Sequence, residues 1–238
     1  MTSTTSTTGT STTPADRPVS HSWDVSPRDA AAIQRQLARR VEARVPAGFE
    51  PKVVAGLDAA FPKGGTECVA AAVAWSVRER RVVEERVVRR PLKFPYVPGL
   101  LSFREAPAVL AALAELETPP DALLCDGHGL AHPRRFGLAC HLGVLTGIPA
   151  IGCAKSVLVG EHPEVAVARG SKGPLEHRGE RIGTVLRTRD RVRPVFVSIG
   201  HRLDLECAEQ LVLACAIGFR LPEPIRRADR LVSQARKL

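Results

Sequence analysis

Val53-Val54-Ala55-Gly56-Leu57-Asp58-Ala59-Ala60-Phe61 is a β-like run, small and apolar except for one carboxylate. Two more such runs follow, Cys68 to Val77 and Arg81 to Arg89, with the turn Pro62-Lys63-Gly64-Gly65 between the first two. Links this short join the three into an antiparallel meander. Downstream the pattern alternates: a helix around Ala106 to Leu116, a strand Ala122 to Asp126, a helix Arg134 to Leu145, a strand Ile148 to Cys153. Alternation of that kind builds parallel strand pairs with helices on the faces. Two further strands, Arg181 to Thr188 and Pro194 to Ile199, and a helix from about Leu205 to Gly218 complete the pattern. Upstream, Ser26 and Pro27 suit the N-cap and first position of a helix carrying Ala31, Ile33, Leu37 and Val41. The expected fold class is α/β, a mixed sheet in which a three-stranded meander leads into β-α-β units flanked by helices.

Residues Met1 to Pro18 are almost all Ser, Thr, Gly and Pro, and bury too little apolar surface to offset the entropy of ordering. They are expected to be a disordered tail, with residues 19–238 forming one domain. The chain has 238 residues with a formal net charge of +9, which favours a polyanionic partner through counterion release from phosphates. Hydrophobic residues make up 44%, yet no apolar run approaches membrane-spanning length, so no membrane association is expected. Cys68, Cys125, Cys140, Cys153, Cys207 and Cys215 show no metal-finger spacing and read as free thiols. With no secretory signal pattern at the start, a reducing cytoplasm is the expected location, and a monomer the expected state.

Asp58 is an ionisable group inside an apolar strand, a placement that costs several kcal/mol unless something compensates it. A metal ion or a buried Arg would do so. Period-two alternation puts Gly56 and Ala60 on its face, small residues that leave room for a cation and a phosphate. Asp126 ends an apolar strand before Gly127-His128-Gly129, at the carboxyl end where open αβ sheets bind ligands. Glu105 closes Ser102-Phe103-Arg104-Glu105, which matches a helix capping box. Pro107 would then fall beyond the first turn, so a helix starting nearer Arg104 is expected, leaving Glu105 free to face a site. His132 precedes Pro133, which can open the next helix, and so sits where backbone N–H groups favour an anion. A helix cap is the plainer role, and His128 and His141 are equally available to a cation. Lys155 follows the strand ending at Cys153, on the same rim. Three carboxylates on such a frame suit phosphodiester hydrolysis with Mg2+.

A meander followed by β-α-β units is the order found in ribonuclease H-like folds. The segments Gly56-Leu57-Asp58-Ala59-Ala60-Phe61, Pro95-Tyr96-Val97-Pro98-Gly99-Leu100-Leu101-Ser102-Phe103-Arg104-Glu105, Asp126-Gly127-His128-Gly129-Leu130-Ala131-His132-Pro133-Arg134 and Gly152-Cys153-Ala154-Lys155-Ser156 together resemble the endonuclease V (deoxyinosine 3′ endonuclease) family. The resemblance runs from about Asp29 to Ser233. It implies Asp58 and Asp126 as metal ligands, Glu105 as a further carboxylate of the centre, and His132 and Lys155 as phosphate or water partners. It also implies Tyr96 as a wedge at the lesion. Pro95, Val97, Pro98, Gly99 and Leu101 beside it, with Gly127, are the expected substrate contacts, although a packed turn would suit Tyr-x-Pro-Gly as well. The expected activity is cleavage on the 3′ side of a deaminated adenine in DNA, as part of DNA repair, with Mg2+ as cofactor and Mn2+ able to substitute. An inosine-specific endoribonuclease, a junction nuclease and a non-catalytic nucleic-acid binder on the same fold are the alternatives. The Asp58, Glu105, Asp126 set argues against the last.

Overall fold

The computed structural model describes residues 19–237, so the expected tail lies outside the described residues. β1 (Val53–Ala60), β2 (Glu67–Ser76) and β3 (Arg81–Pro91) form the antiparallel meander. β4 (Ala122–Cys125) pairs parallel with β1, and β5 (Ala150–Ala154) parallel with β4. β6 (Lys172–His177), β7 (Glu180–Leu186) and β8 (Val195–His201) extend the sheet antiparallel beyond β5, giving the order β3-β2-β1-β4-β5-β8-β7-β6.

Helices cover both faces, which is why β4 and β5 are apolar and buried at every position. On one face α2 (Leu101–Ala114) and α3 (Leu138–Thr146) pack on Ala55, Leu57, Ala70, Leu123 and Cys125. On the other, α4 (Leu205–Cys215) and α5 (Glu223–Ala235) pack on the alternate residues, Val54, Leu124, Ile151, Val69 and Ala71 among them. α1 (Pro27–Ala38) starts as expected, with the Ser26 hydroxyl accepting a hydrogen bond from the Asp29 amide at 3.2 Å.

Three local expectations are corrected. α2 begins at Leu101, not near Arg104, and holds Pro107 in its interior. Burial of Ser102, Phe103, Glu105 and Ala106 in its first two turns outweighs the missing hydrogen bond, an instance of packing overriding propensity. α3 begins at Leu138, so Pro133 opens no helix and His132 lies in the loop before it. Gly56 does not make room for a cation. α5 crosses β1 there, and a methyl group on Gly56 would overlap the Pro224 carbonyl.

Candidate active site

β1 and β4 run parallel with Leu57 opposite Cys125, and the Asp126 amide donates to the Leu57 carbonyl at 3.0 Å. That register makes Asp58 and Asp126 neighbours on one face at the carboxyl ends of two buried strands. Glu105 reaches the same end from α2 and is 8% exposed. Each carboxyl is pushed above its ordinary range. Burial raises Asp58 to about 8, and the Asp126 charge adds to it. Burial raises Glu105 well above its usual value, followed by the charges of Asp58 and Asp126. Asp126 is also raised by burial, although Lys155 pulls it down. The Lys155 ammonium stands 2.6 Å from the Asp126 carboxylate. Burial works against its charge, but Asp126, Asp229 and Asp58 outweigh that and raise its pKa.

Among the described residues no three acidic, histidine or cysteine side chains are already gathered at ligand distances. The donor set nevertheless fits a hard divalent cation, because three carboxylates that repel one another, Glu105 buried and Asp58 and Asp126 partly buried, are compensated by positive charge and offer only oxygen.

A cavity of about 270 Å³ reaches Gly127, the residue after Asp126, and is walled by Tyr96, Val97, Pro98, Gly99 and Leu101 on one side and Gly127, His132 and Leu138 on the other. Of the expected substrate contacts, only Pro95 falls outside this lining. Pro98 and Gly99 form a turn closed by the Leu100 amide on the Val97 carbonyl at 2.9 Å, and Gly99 has φ 76°, which a side chain would strain. Tyr96 projects from it, 72% exposed, with the Arg104 guanidinium 6.0 Å from its ring. A ring that exposed does not pack a turn.

The Gly99 carbonyl fixes the loop by accepting three hydrogen bonds, from Gln34 Nε2 at 3.1 Å, His132 Nε2 at 3.0 Å and Arg134 Nη2 at 2.5 Å. His132 Nδ1 accepts from the Arg134 amide at 3.2 Å, so its ring is neutral and both nitrogens are taken. Burial, then Arg134, lowers its pKa to about 4. The loop after β4 is held in turn by β8, through Gly129 N–H to Ser198 Oγ at 2.8 Å and Leu130 N–H to the Ile199 carbonyl at 2.8 Å. It passes so close over β5 that a methyl on Gly152 would sit 2.5 Å from Gly129 N and 2.7 Å from Gly127 O. His128 lines the cavity, whereas His141 is fully buried in an aromatic cluster.

Sequence reasoning missed Asp229. It lies on α5 with its carboxylate 3.8 Å from Lys155 Nζ, and its charge bears on Asp58, Asp126 and Lys155. The signal was Ile225, Ala228 and Val232, spaced as one face of a helix that would carry an acidic residue to the rim.

The Endonuclease V family model matches residues 35–230. Endonuclease V of Roseiflexus castenholzii is 52% identical over 217 residues, which cover 91% of this chain and 96% of that protein. The crystal structure of Endonuclease V from Streptomyces avermitilis is 46% identical with a TM-score of 0.86, covering 90% of this chain and 95% of that one. Ciona intestinalis Endonuclease V, solved in complex with a 23mer DNA containing an inosine followed by a ribo-adenosine, is 28% identical with a TM-score of 0.79, covering 88% and 96%. The fold is thus ribonuclease H-like, as its strand order indicated, and the chain belongs to the Endonuclease V family.

Proposed function

We propose that this enzyme recognises inosine in DNA and hydrolyses a phosphodiester bond on the 3′ side of the lesion, in DNA repair and with Mg2+. The observation that carries this reading is a loop-walled cavity, with an exposed tyrosine at its lip, that reaches Gly127, the residue after Asp126 in the carboxylate cluster. The relative bound to inosine-containing DNA supports it.

Asp58 and Asp126, with Glu105, would hold the cation. A divalent ion there would activate a water and stabilise charge on the leaving oxygen. Lys155 offsets part of the burial that raises Asp126 and would offer a positive charge to an approaching phosphate. His132 ties the Gly99 turn to its own loop, with Nε2 on the Gly99 carbonyl and Nδ1 on the Arg134 amide. Tyr96 would fill the gap left in the stack when the base is turned into the cavity.

The test is to map cuts in matched DNA and RNA strands, each with one inosine, incubated with enzyme and Mg2+. Cleavage of the DNA strand 3′ to inosine is expected. Cuts independent of inosine would sink the proposal, and cleavage of the RNA alone would replace it with the endoribonuclease reading.

Mg2+ should also stabilise the fold in a pH-dependent way. Asp58 has a folded pKa raised to about 8, so its contribution is fully present below its unfolded value, near 4, and is lost as pH rises through 8. A cation bound to the ionised carboxylates restores that loss, so the rise in melting temperature on adding Mg2+ should be larger at pH 8.5 than at pH 6.5. An equal rise at both would contradict the assignment.

Tyr96→Ala should leave melting temperature unchanged and lower affinity for inosine-containing DNA by about 1 to 3 kcal/mol, the scale of a lost base-stacking contact. Affinity for ordinary DNA should fall less. Calorimetry and binding in Ca2+ check both, and an undiminished preference for inosine would remove the wedge role.

A further inference from the structure

Ser102 is the second residue of α2, 2% exposed, and part of the wall of the cavity that reaches Gly127. It caps no helix. Its hydroxyl lies 3.0 Å from His141 Nδ1, and His141 Nε2 lies 2.6 Å from Nε2 of His21 in the segment that precedes α1. His21 Nδ1 in turn lies 2.8 Å from the carbonyl of Ser22.

The direction of this chain follows from its last member. A carbonyl can only accept, so His21 Nδ1 carries the hydrogen and donates to Ser22. In a neutral ring Nε2 is then bare, and it accepts from the Nε2–H of His141. His141 Nδ1 is bare in consequence and accepts from the Ser102 O–H. The rings of Trp23, Phe103 and Phe136 surround His141 at centroid distances of 5.1, 5.2 and 5.1 Å, shielding the His141–Ser102 end of the chain from water, whereas the His21–Ser22 end is exposed. A serine hydroxyl has one hydrogen and two lone pairs. With the hydrogen spent on His141, only lone pairs remain for the cavity.

We propose that Ser102 is a specificity-determining residue that presents a fixed hydrogen-bond acceptor to the flipped base, held in that sense by His141 and His21. The proposal rests on the inosine reading above and deepens it. Hypoxanthine carries a hydrogen on N1, whereas adenine has a lone pair there. A locked acceptor attracts the first and repels the second, and a buried polar group left facing a like lone pair is a strong ground for rejection. The reverse wiring, with a second proton on His21, would turn the Ser102 hydroxyl into a donor and favour adenine.

The experiment compares the full-length enzyme with Ser102→Ala, Ser102→Thr and His21→Phe. Binding in Ca2+ and single-turnover cleavage in Mg2+ are measured on strands that differ only in inosine or adenosine at one position, with melting temperatures alongside. Ser102→Ala should lower the inosine-to-adenosine ratio roughly tenfold, chiefly by loss on the inosine strand. Ser102→Thr, which keeps a hydroxyl, should restore it. His21→Phe keeps the aromatic packing, leaves the cavity wall intact and frees the His141 tautomer, so its ratio should fall by a smaller factor. An unchanged or raised ratio in Ser102→Ala, or equal losses on both strands, overturns the proposal. Should Ser102→Ala not fold, an unchanged ratio in His21→Phe overturns it instead. If the wild-type enzyme itself shows no preference for inosine, the functional reading fails, a result distinct from failure of the Ser102 assignment.

Discussion

Asp126→Ala should lose Mg2+-supported cleavage by at least about 10²- to 10³-fold, the scale on which removing one electrostatic contributor disables a reaction, while binding to inosine-containing DNA stays measurable. Asp126 bears on both Asp58 and Glu105 and pairs with Lys155, so its removal would take away one of the proposed ligands and leave the ammonium without its 2.6 Å partner. Phosphate contacts elsewhere are untouched, which is why binding should persist. The fold should tolerate the change, because burial and like charges oppose ionisation of Asp58, Glu105 and Asp126 alike, and deleting one relieves the others. Calorimetry should therefore show a melting temperature no lower than wild type beside the lost activity. Weak rescue by Mn2+ fits a less demanding ligand geometry. Persistent Mg2+-dependent cutting by the folded variant would remove Asp126 from the centre.

What the sequence made legible follows from how local the cause of each feature is. The meander and the parallel pair were readable because their strands are apolar runs bounded by turns, Asp58 because an ionisable group inside such a run calls for compensation, and Asp126 because it stands at the carboxyl end of one. The start of α2 was misjudged because Pro107 is a local signal, whereas the burial that overrides it comes from the sheet and from α3. The start of α3 was misjudged for a related reason. Pro133 lies in a loop whose course is set by the Gln34, His132 and Arg134 contacts to Gly99, none of them local. β6 was invisible because Gly173 and Pro174 argue against a strand, and only its place at the sheet edge makes them acceptable. Ser102 could be seen only as a capping candidate, since its partner His141 lies 39 residues away.

α5 is the omission with the largest consequence, and Gly56→Ala exposes it. A methyl at Gly56 would overlap the Pro224 carbonyl and lie 2.6 Å from the Ile225 nitrogen. These are backbone atoms, so no rotamer change relieves the clash, and the first turn of α5 must lift from β1. Overpacking of this kind costs typically about 1 to 3 kcal/mol, occasionally more, which for a protein of this size corresponds to a melting temperature lower by roughly 2 to 12 °C. The same displacement moves Asp229, which lies five residues after Pro224 on the same helix, away from Lys155, where its carboxylate now stands 3.8 Å off. Cleavage should therefore fall along with stability, although Gly56 touches no part of the cavity. Gly127→Ala is the control, because its methyl would meet only Leu138, at 3.5 Å, an ordinary contact. Its melting temperature should match wild type. A Gly56→Ala protein that melts and cuts as the wild type does would mean that α5 is not seated on β1 as closely as this, and the role of Asp229 at the rim would fall with it.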